Sequence, residues 1–455
     1  MSIHSIVIRQ RAFFRSGATL PLRVRKRALN ALLKEITLRE NALLSALQED
    51  LGKAAFEGYM TEVGLVKDEL RFHLKHLDRW ARDKTIHTPL TQFPSRSWIH
   101  AEPYGVVLIM APWNYPLLLS LDPLIGALSA GNCAVLKPST YAPATSKALA
   151  ELISAALPPE LVSVVEGGRE ENIALLEEQF DYIFFTGSPE VGRYVMEKAA
   201  HHLTPVTLEL GGKSPCIVTP SANLNMAARR IAFGKLINAG QTCVAPDYIL
   251  VHESIKDRLV VLIQKEITGF LGDNPLDNQE YPRIVNQKHF DRLTELLDHN
   301  CHILFGGQTR DLHIAPTLVD VTDHNSPIMQ EEIFGPILPV LTYRELDEVI
   351  DFVQGRPKPL ALYLFTRSKQ TEKTLLNLLS FGGGCINDTV IHPAISYLPF
   401  GGVGESGMGS YHGKASFDTF SHTKSILKKG NWLDLPVRYH PYTPFKEKLL
   451  KALLK

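Results

Sequence analysis

Apolar positions along this chain follow two patterns. Leu29, Leu32, Leu33 and Ile36 keep the i, i+3, i+4, i+7 spacing of a helix with one core-facing stripe. That spacing predicts helices over 29–51 and about 62–82. From residue 105 onward, short unbroken apolar runs take over. Residues 105–110, 133–136, 161–165, 182–185 and 206–208 read as strands buried on both faces, with helices between them at 144–157 and 189–200. Strand–helix alternation of this kind predicts a parallel, doubly wound α/β sheet of Rossmann type.

Near residue 211 the alternation restarts. Helices are expected at 224–238, 254–267, 286–299, 345–354 and 369–380, and strands at 248–251, 303–305, 337–342, 361–366 and 384–387. A second α/β unit follows, with Gly211-Gly212 as a flexible joint. Residues 84–104 interrupt the pattern with Pro89, Pro94 and Pro103 and read as an extended excursion. The tail carries Leu449, Leu450, Leu453 and Leu454 among lysines. It reads as a short amphipathic helix packed on a neighbouring surface, with membrane-surface attachment as the alternative. No internal repeat or low-complexity segment stands out.

At 455 residues the chain exceeds one ordinary core, so two or three domains are expected. Its 48 Lys+Arg and 48 Asp+Glu cancel, which removes any global reason to expect nucleic acid or an acidic membrane as partner. The five cysteines (Cys133, Cys216, Cys243, Cys301, Cys385) are scattered and odd in number. That argues against a metal cluster and a secreted disulfide framework, and for a reducing, cytoplasmic setting. No apolar run reaches the ~18 residues of a membrane span. No acidic residue precedes Glu35, while Arg9, Arg11, Arg15 and Arg23 do. Such an opening suits a transit peptide, but the stripe from Leu29 favours a basic helical face.

Candidate chemistry centres on Asn238-Ala239-Gly240-Gln241-Thr242-Cys243, with Glu209-Leu210-Gly211-Gly212-Lys213 upstream. A free thiol has a pKa of about 8.5 and needs a base or a positive setting to act as a nucleophile. A nearby carboxylate can take its proton directly or through water. The alternative is a structural cysteine. Thr186-Gly187-Ser188-Pro189 follows a strand and opens a helix that runs through Gly192, a place where free N–H groups favour phosphate. An ordinary strand–helix turn is the alternative. Lys137 ends a strand, where it could meet ribose or phosphate or simply be solvated. Asn114, in Pro112-Trp113-Asn114-Tyr115-Pro116, could donate to a developing oxyanion or be a structural turn residue. Glu331-Glu332 before Phe334-Gly335-Pro336 could hold sugar hydroxyls or stop a helix.

Taken in order, Pro-Trp-Asn, Lys-Pro-Ser, Phe-Thr-Gly-Ser, Glu-Leu-Gly-Gly-Lys, Gly-Gln-Thr-Cys, Glu-Glu-Ile-Phe-Gly-Pro and the Pro399-Phe400-Gly401-Gly402 run resemble the aldehyde dehydrogenase superfamily. The resemblance covers nearly the whole chain. The Gly409-Ser410-Tyr411-His412-Gly413-Lys414 and Ser416–His422 runs resemble its class 3 branch, which acts on fatty and aromatic aldehydes.

This resemblance implies oxidation of aldehydes to acids with NAD or NADP. Cys243 is then the nucleophile, Asn114 and the Cys243 N–H the oxyanion donors, and Glu209 the base that hydrolyses a thioester. Lys137 lies at the adenosine ribose, Gly187, Ser188 and Gly192 serve the pyrophosphate, and Glu332 and Phe334 hold the nicotinamide ribose. Many relatives carry Glu where this chain has Thr140, so repulsion of a 2′-phosphate is removed and NADP is expected beside NAD. On their own position near these motifs, Tyr115, Phe233 and Phe400 could line an apolar substrate tunnel or simply pack the core.

The implied organisation is an NAD(P)-binding domain of 1–82 and 102–210 and a catalytic domain of 211–412. Segments 83–101 and 413–430 form a bridging hairpin through which relatives dimerise, followed by the 431–455 tail. A homodimer without nucleic acid, metal or membrane is expected. Three alternatives stay open: a thiolytic enzyme using coenzyme A, a cysteine hydrolase with His252 as partner, and a non-catalytic relative.

Overall fold

The computed structural model describes residues 2–298 and 302–454. Two sheets organise it. The first has six strands, with the parallel strands Val206–Glu209, Tyr182–Thr186, Val106–Met110, Cys133–Lys137 and Val162–Val164 in that spatial order and the short Gly407–Met408 antiparallel at one edge. Val106–Met110 is central. The chain lays two strands on one side of it and then crosses to lay two on the other. Strands of such a sheet are covered on both faces, and every residue of the three middle strands is buried.

The second sheet has seven strands, parallel except where His302–Phe305 pairs with Thr317–Asp320. Its neighbouring strands Pro215–Val218 and Tyr248–His252 take the chain directly out of the first sheet. Between the sheets lie Gly211 and Gly212, read from sequence as a flexible joint. A Cβ on Gly211 would stand 1.9 Å from Glu332 Oε2, and one on Gly212 would stand 3.3 Å from the Leu360 nitrogen. Close packing therefore uses these glycines in this arrangement.

The N-terminal basic segment is helical, as its stripe predicts. Ile3–Arg15 is tied to the first sheet by Gln10 Nε2, which donates to Ala134 O at 2.8 Å, and by the Arg11–Asp181 ion pair at 3.0 Å. Leu29, Leu32 and Ile36 are fully buried. The single helix expected over 29–51 is two, Leu22–Leu38 and Glu40–Leu51, broken at Arg39. Helices Pro189–Ala200 and Leu346–Gln354 lie where expected. The end of the 286–299 helix and Cys301 fall outside the described residues; the helix runs Gln287–Asp298.

The excursion and a late segment make a third, three-stranded sheet of Lys84–Ile86, Ser95–Pro103 and Ser421–Lys429. The expected hairpin segment 413–430 is therefore only half extended. Gly413–Thr419 is a helix whose Phe417 and neighbouring Phe420 bury against Trp80 and Phe184, so core packing claims the first part of the expected hairpin segment. Pro444–Leu453 forms the expected amphipathic tail helix, but Leu449, Leu450 and Leu453 stay exposed, so the expected packing on a neighbouring surface is not made within the chain. Among the described residues no helix is long and apolar enough to cross a membrane.

Candidate active site

The first sheet ends its strands on chemistry. Met110 pairs with Lys137 on one side and Phe185 on the other, and Thr186 pairs with Glu209. The loops following Met110, Lys137 and Thr186 thus leave from one edge, the carboxyl edge where open α/β sheets bind ligands.

Cys243 reaches this edge from the second unit through a strained turn. Asn238, Ala239 and Gly240 have φ of 51°, 50° and 72° in succession. Left-handed non-glycine residues persist only where surroundings over-determine them. Here the buried Gln241 side chain does so. Its amide donates to Asn238 O and Arg283 O at 3.0 Å each, and its oxygen accepts from Val285 N at 3.0 Å. A Cβ on Gly240 would stand 2.3 Å from Gly335 O, which brings the Glu332–Gly335 segment against the cysteine turn.

Cys243 is half-buried and stands where two cavities meet. One has walls that include Tyr115, Leu118, Phe233, Ile237, Val390 and Phe400. The other, which is larger, is lined by Asn114, Thr186, Gly187, Ser188, Glu209, Glu332 and Phe334 among others. Leu119, Phe400 and Tyr411 join Cys243 in walling both.

Asn114 is buried beside this junction. Its Nδ2 donates to Gln241 O at 3.1 Å, which leaves a second amide N–H. Tyr115 hydrogen-bonds through its hydroxyl to Thr242 Oγ1 at 2.6 Å. Both carboxylate oxygens of Glu209 are buried without a hydrogen-bond partner. Burial alone raises its pKa well above the usual carboxylate range. An unpartnered buried carboxyl beside a cavity is poised to take a proton. The Cys243 thiol is also pushed up, first by burial and then by the charges of Glu332 and Glu209.

Glu332 is partly buried, and its pKa rises to about 8 through burial and the neighbouring Asp247. Its loop is held from several sides. Asp247 accepts from Ile333 N at 2.9 Å and pairs with Lys213 at 2.5 Å, and Lys213 donates to Ile328 O at 2.9 Å and Glu331 O at 2.8 Å. Phe334 has φ of 52° and meets Trp113 edge-on at 5.4 Å.

The other expected cofactor residues are placed variously. Gly187 and Ser188 line the larger cavity; Ser188 caps Pro189–Ala200 by accepting from Val191 N. Gly192 lies inside that helix, where a Cβ would stand 2.6 Å from Leu210, and Lys137, Thr140 and Gly192 lie outside the cavity lining. Lys137 is buried, with Nζ donating to Pro138 O at 2.8 Å and Gly167 O at 2.7 Å, rather than solvated. Thr140 is exposed. Burial lowers the Lys137 pKa while Glu171 and Glu166 raise it. Those two acidic neighbours had no motif to reveal them. His252 lies outside both cavities and bonds Ser254 Oγ at 2.8 Å, so it is no partner for Cys243. Missed from sequence were His412 and Asp122, which line the apolar cavity at 3.6 Å from one another.

Residues 2–426 match the family model described as the aldehyde dehydrogenase family. The chain is 50% identical over 448 residues to 4,4′-diaponeurosporen-aldehyde dehydrogenase of Staphylococcus aureus, covering 98% of this chain and 97% of that protein. It is 48% identical to aldehyde dehydrogenase family 3 member B1 of Bos taurus, covering 96% of this chain and 94% of the relative. A substrate-bound structure of Staphylococcus aureus AldH superposes with a TM-score of 0.98 at 49% identity, covering 100% of both chains. An indole-3-acetaldehyde dehydrogenase complexed with NAD+ gives 0.86 at 28% identity, covering 93% of this chain and 88% of that one. The chain belongs to the aldehyde dehydrogenase family, beside its family 3 members, and is an NAD(P)-dependent enzyme of aldehyde oxidation.

Proposed function

We propose that this enzyme oxidises medium- and long-chain aliphatic and aromatic aldehydes, with Cys243 as nucleophile, Asn114 as oxyanion donor and Glu209 as hydrolytic base. One observation carries the reading: Cys243 stands at the meeting point of a cavity walled by Tyr115, Phe233 and Val390 and a second one lined by Asn114, Glu209 and Glu332. An aldehyde entering from the side of Tyr115 and Phe233 presents its carbonyl carbon to Cys243, whose thiol proton passes through water to the Glu209 carboxylate and on to solvent, leaving the attacking thiolate. The S–C bond forms as the carbonyl π pair moves to oxygen. The free N–H of Asn114 and the backbone N–H of Cys243 stabilise that oxygen. As the C=O bond reforms, the aldehyde hydrogen leaves as hydride and a thioester remains on Cys243. Glu209 takes a proton from water, the water attacks, and the S–C bond breaks to release the acid and the thiolate.

The nicotinamide supplies the hydride acceptor when bound. Gly187 and Ser188 at a capped helix start suit its pyrophosphate, and the Glu332 carboxyl its ribose hydroxyls. We propose that both NAD and NADP serve, because Thr140 brings no negative charge beside Lys137; Glu166 and Glu171 temper the preference. Gly192 supports the pyrophosphate loop by close packing on Leu210.

Tyr115, Phe233 and Phe400 shape the apolar wall, which supports bulky apolar substrates over small polar ones. A relative named for 4,4′-diaponeurosporen-aldehyde puts that aldehyde among the substrates to test. The Ser421–Lys429 edge strand of the three-stranded sheet suits pairing with a second copy in a homodimer. The free thiols at Cys133, Cys216, Cys243 and Cys385 suit the cytoplasm. The test is kcat/KM across aldehydes from acetaldehyde to dodecanal, and benzaldehyde. It should rise with chain length and fall when Phe233 is changed to Asn; a preference for acetaldehyde would refute the substrate reading.

A further inference from the structure

Lys53 and Glu62 are fully buried and form an ion pair at 2.6 Å. Such a pair is weak support for stability, because desolvation offsets its attraction. Its neighbours give it another use. The second oxygen of Glu62 accepts from Leu117 N at 2.9 Å and Leu118 N at 3.2 Å, where the helix Leu118–Ala130 begins. Lys53 Nζ donates to Asn114 O at 3.3 Å and lies 4.3 Å from the centre of the Tyr115 ring. The pair thus grips both ends of the segment that carries Asn114.

The opposite side of that segment is held by the cysteine turn. Asn238 Nδ2 donates to the same Asn114 O at 2.8 Å, while Asn114 Nδ2 donates to Gln241 O at 3.1 Å. Asn238 is in turn fixed through its backbone N–H, which donates to Glu57 Oε1 at 2.8 Å. Residues 53–62 therefore hold both loops whose relative placement sets the distance from the Asn114 amide to Cys243.

We infer that Lys53 and Glu62 are positioning residues, fixing the Asn114 loop so that its uncommitted amide N–H meets the oxyanion formed at Cys243. The inference rests on the proposed roles of Asn114 and Cys243. A donor held loosely stabilises little, since misplacement by about 1 Å can cost about 100-fold in rate.

A double-mutant cycle tests it. Purified full-length protein is acylated with p-nitrophenyl acetate: the Cys243 thiolate attacks the ester carbon, the S–C bond forms, the ester C–O bond breaks and nitrophenolate leaves. This step needs neither aldehyde nor nicotinamide, so a protein that acylates at Cys243 yet ignores aldehydes would sink the dehydrogenase reading alone. Lys53→Met should slow acylation about 10- to 100-fold in the parent but less than about twofold in an Asn114→Ala background. Losses of equal size in both backgrounds would mean a merely structural role and overturn the inference, as would no loss in the parent. Glu62→Gln runs through the same cycle with the same expectations. It keeps an acceptor for Leu117 and Leu118 but removes the charge, and so carries the test if Lys53→Met does not fold.

Discussion

Asn114 donates through Nδ2 to the main-chain oxygen of Gln241 at 3.1 Å, and that bond joins the loop after the first sheet's central strand to the turn that delivers Cys243. One amide hydrogen is spent on holding two units together, and one is left for chemistry. Asn114→Ala should lower kcat/KM by about 10²- to 10³-fold, the cost of one oxyanion donor, while NADH affinity measured by fluorescence stays unchanged. Loss of nucleotide affinity in equal measure would assign Asn114 a structural role.

Glu209 is buried with both oxygens unpartnered, so its removal should strike the step that consumes water. In Glu209→Gln, rapid mixing with hexanal and NAD should give a burst of NADH of about one per site followed by turnover slowed about 10²- to 10⁴-fold. Mass spectrometry should find the acyl group on the Cys243 peptide. Full turnover by this variant would remove Glu209 from hydrolysis.

The same burial predicts a pH profile. Only ionised Glu209 accepts a proton, and its pKa is raised, so deacylation rises with pH above the ordinary carboxylate range rather than near pH 4. Single-turnover decay of the acyl-enzyme between pH 5 and 9 measures it. A flat profile over that window would contradict the account.

Glu332 titrates near pH 8 in the free protein, held up by burial and Asp247. Ribose hydroxyls donate to the ionised carboxylate, so NAD affinity should increase as pH rises through about 8 and Glu332→Gln should flatten that dependence. Fluorescence titrations across this range read both. Affinity that falls with rising pH in the parent would reverse the sign and refute the role.

Thr140 is exposed beside the strand end that carries Lys137. Thr140→Glu should depress kcat/KM for NADP at least about tenfold and leave NAD within about twofold, a charge effect that weakens with added salt. Equal effects on both cofactors would place Thr140 away from the 2′-position.

Much of this architecture is written in local pattern. Buried parallel strands announce themselves as apolar runs, which is why the strand ends bearing Lys137, Thr186 and Glu209 were legible. Pro189 and Ser188 likewise mark a helix start by their own chemistry. The helix Leu118–Ala130 had no such signal: residues 119–130 are all buried, so no polar face gives a period, and Pro123 sits inside it. The left-handed run at Asn238 and Ala239 is set by its neighbours: Ala239 has no preference for positive φ, while next to it Gly240 packs against Gly335 and Gln241 donates to Arg283 O. Lys53 and Glu62 look like two unremarkable charges in sequence. Only tertiary burial makes them a pair that touches the Asn114 loop. The half-helical 413–430 segment shows the same limit, since Phe417 and Phe420 alternate poorly but pack well.

The most direct test is nicotinamide absorbance on mixing purified protein with hexanal or benzaldehyde, with NAD and NADP in separate runs and Cys243→Ala as the control. Reduction of either nucleotide by the parent protein, abolished in Cys243→Ala, is the predicted result. Reduction that persists in Cys243→Ala would contradict the thiol mechanism at its centre.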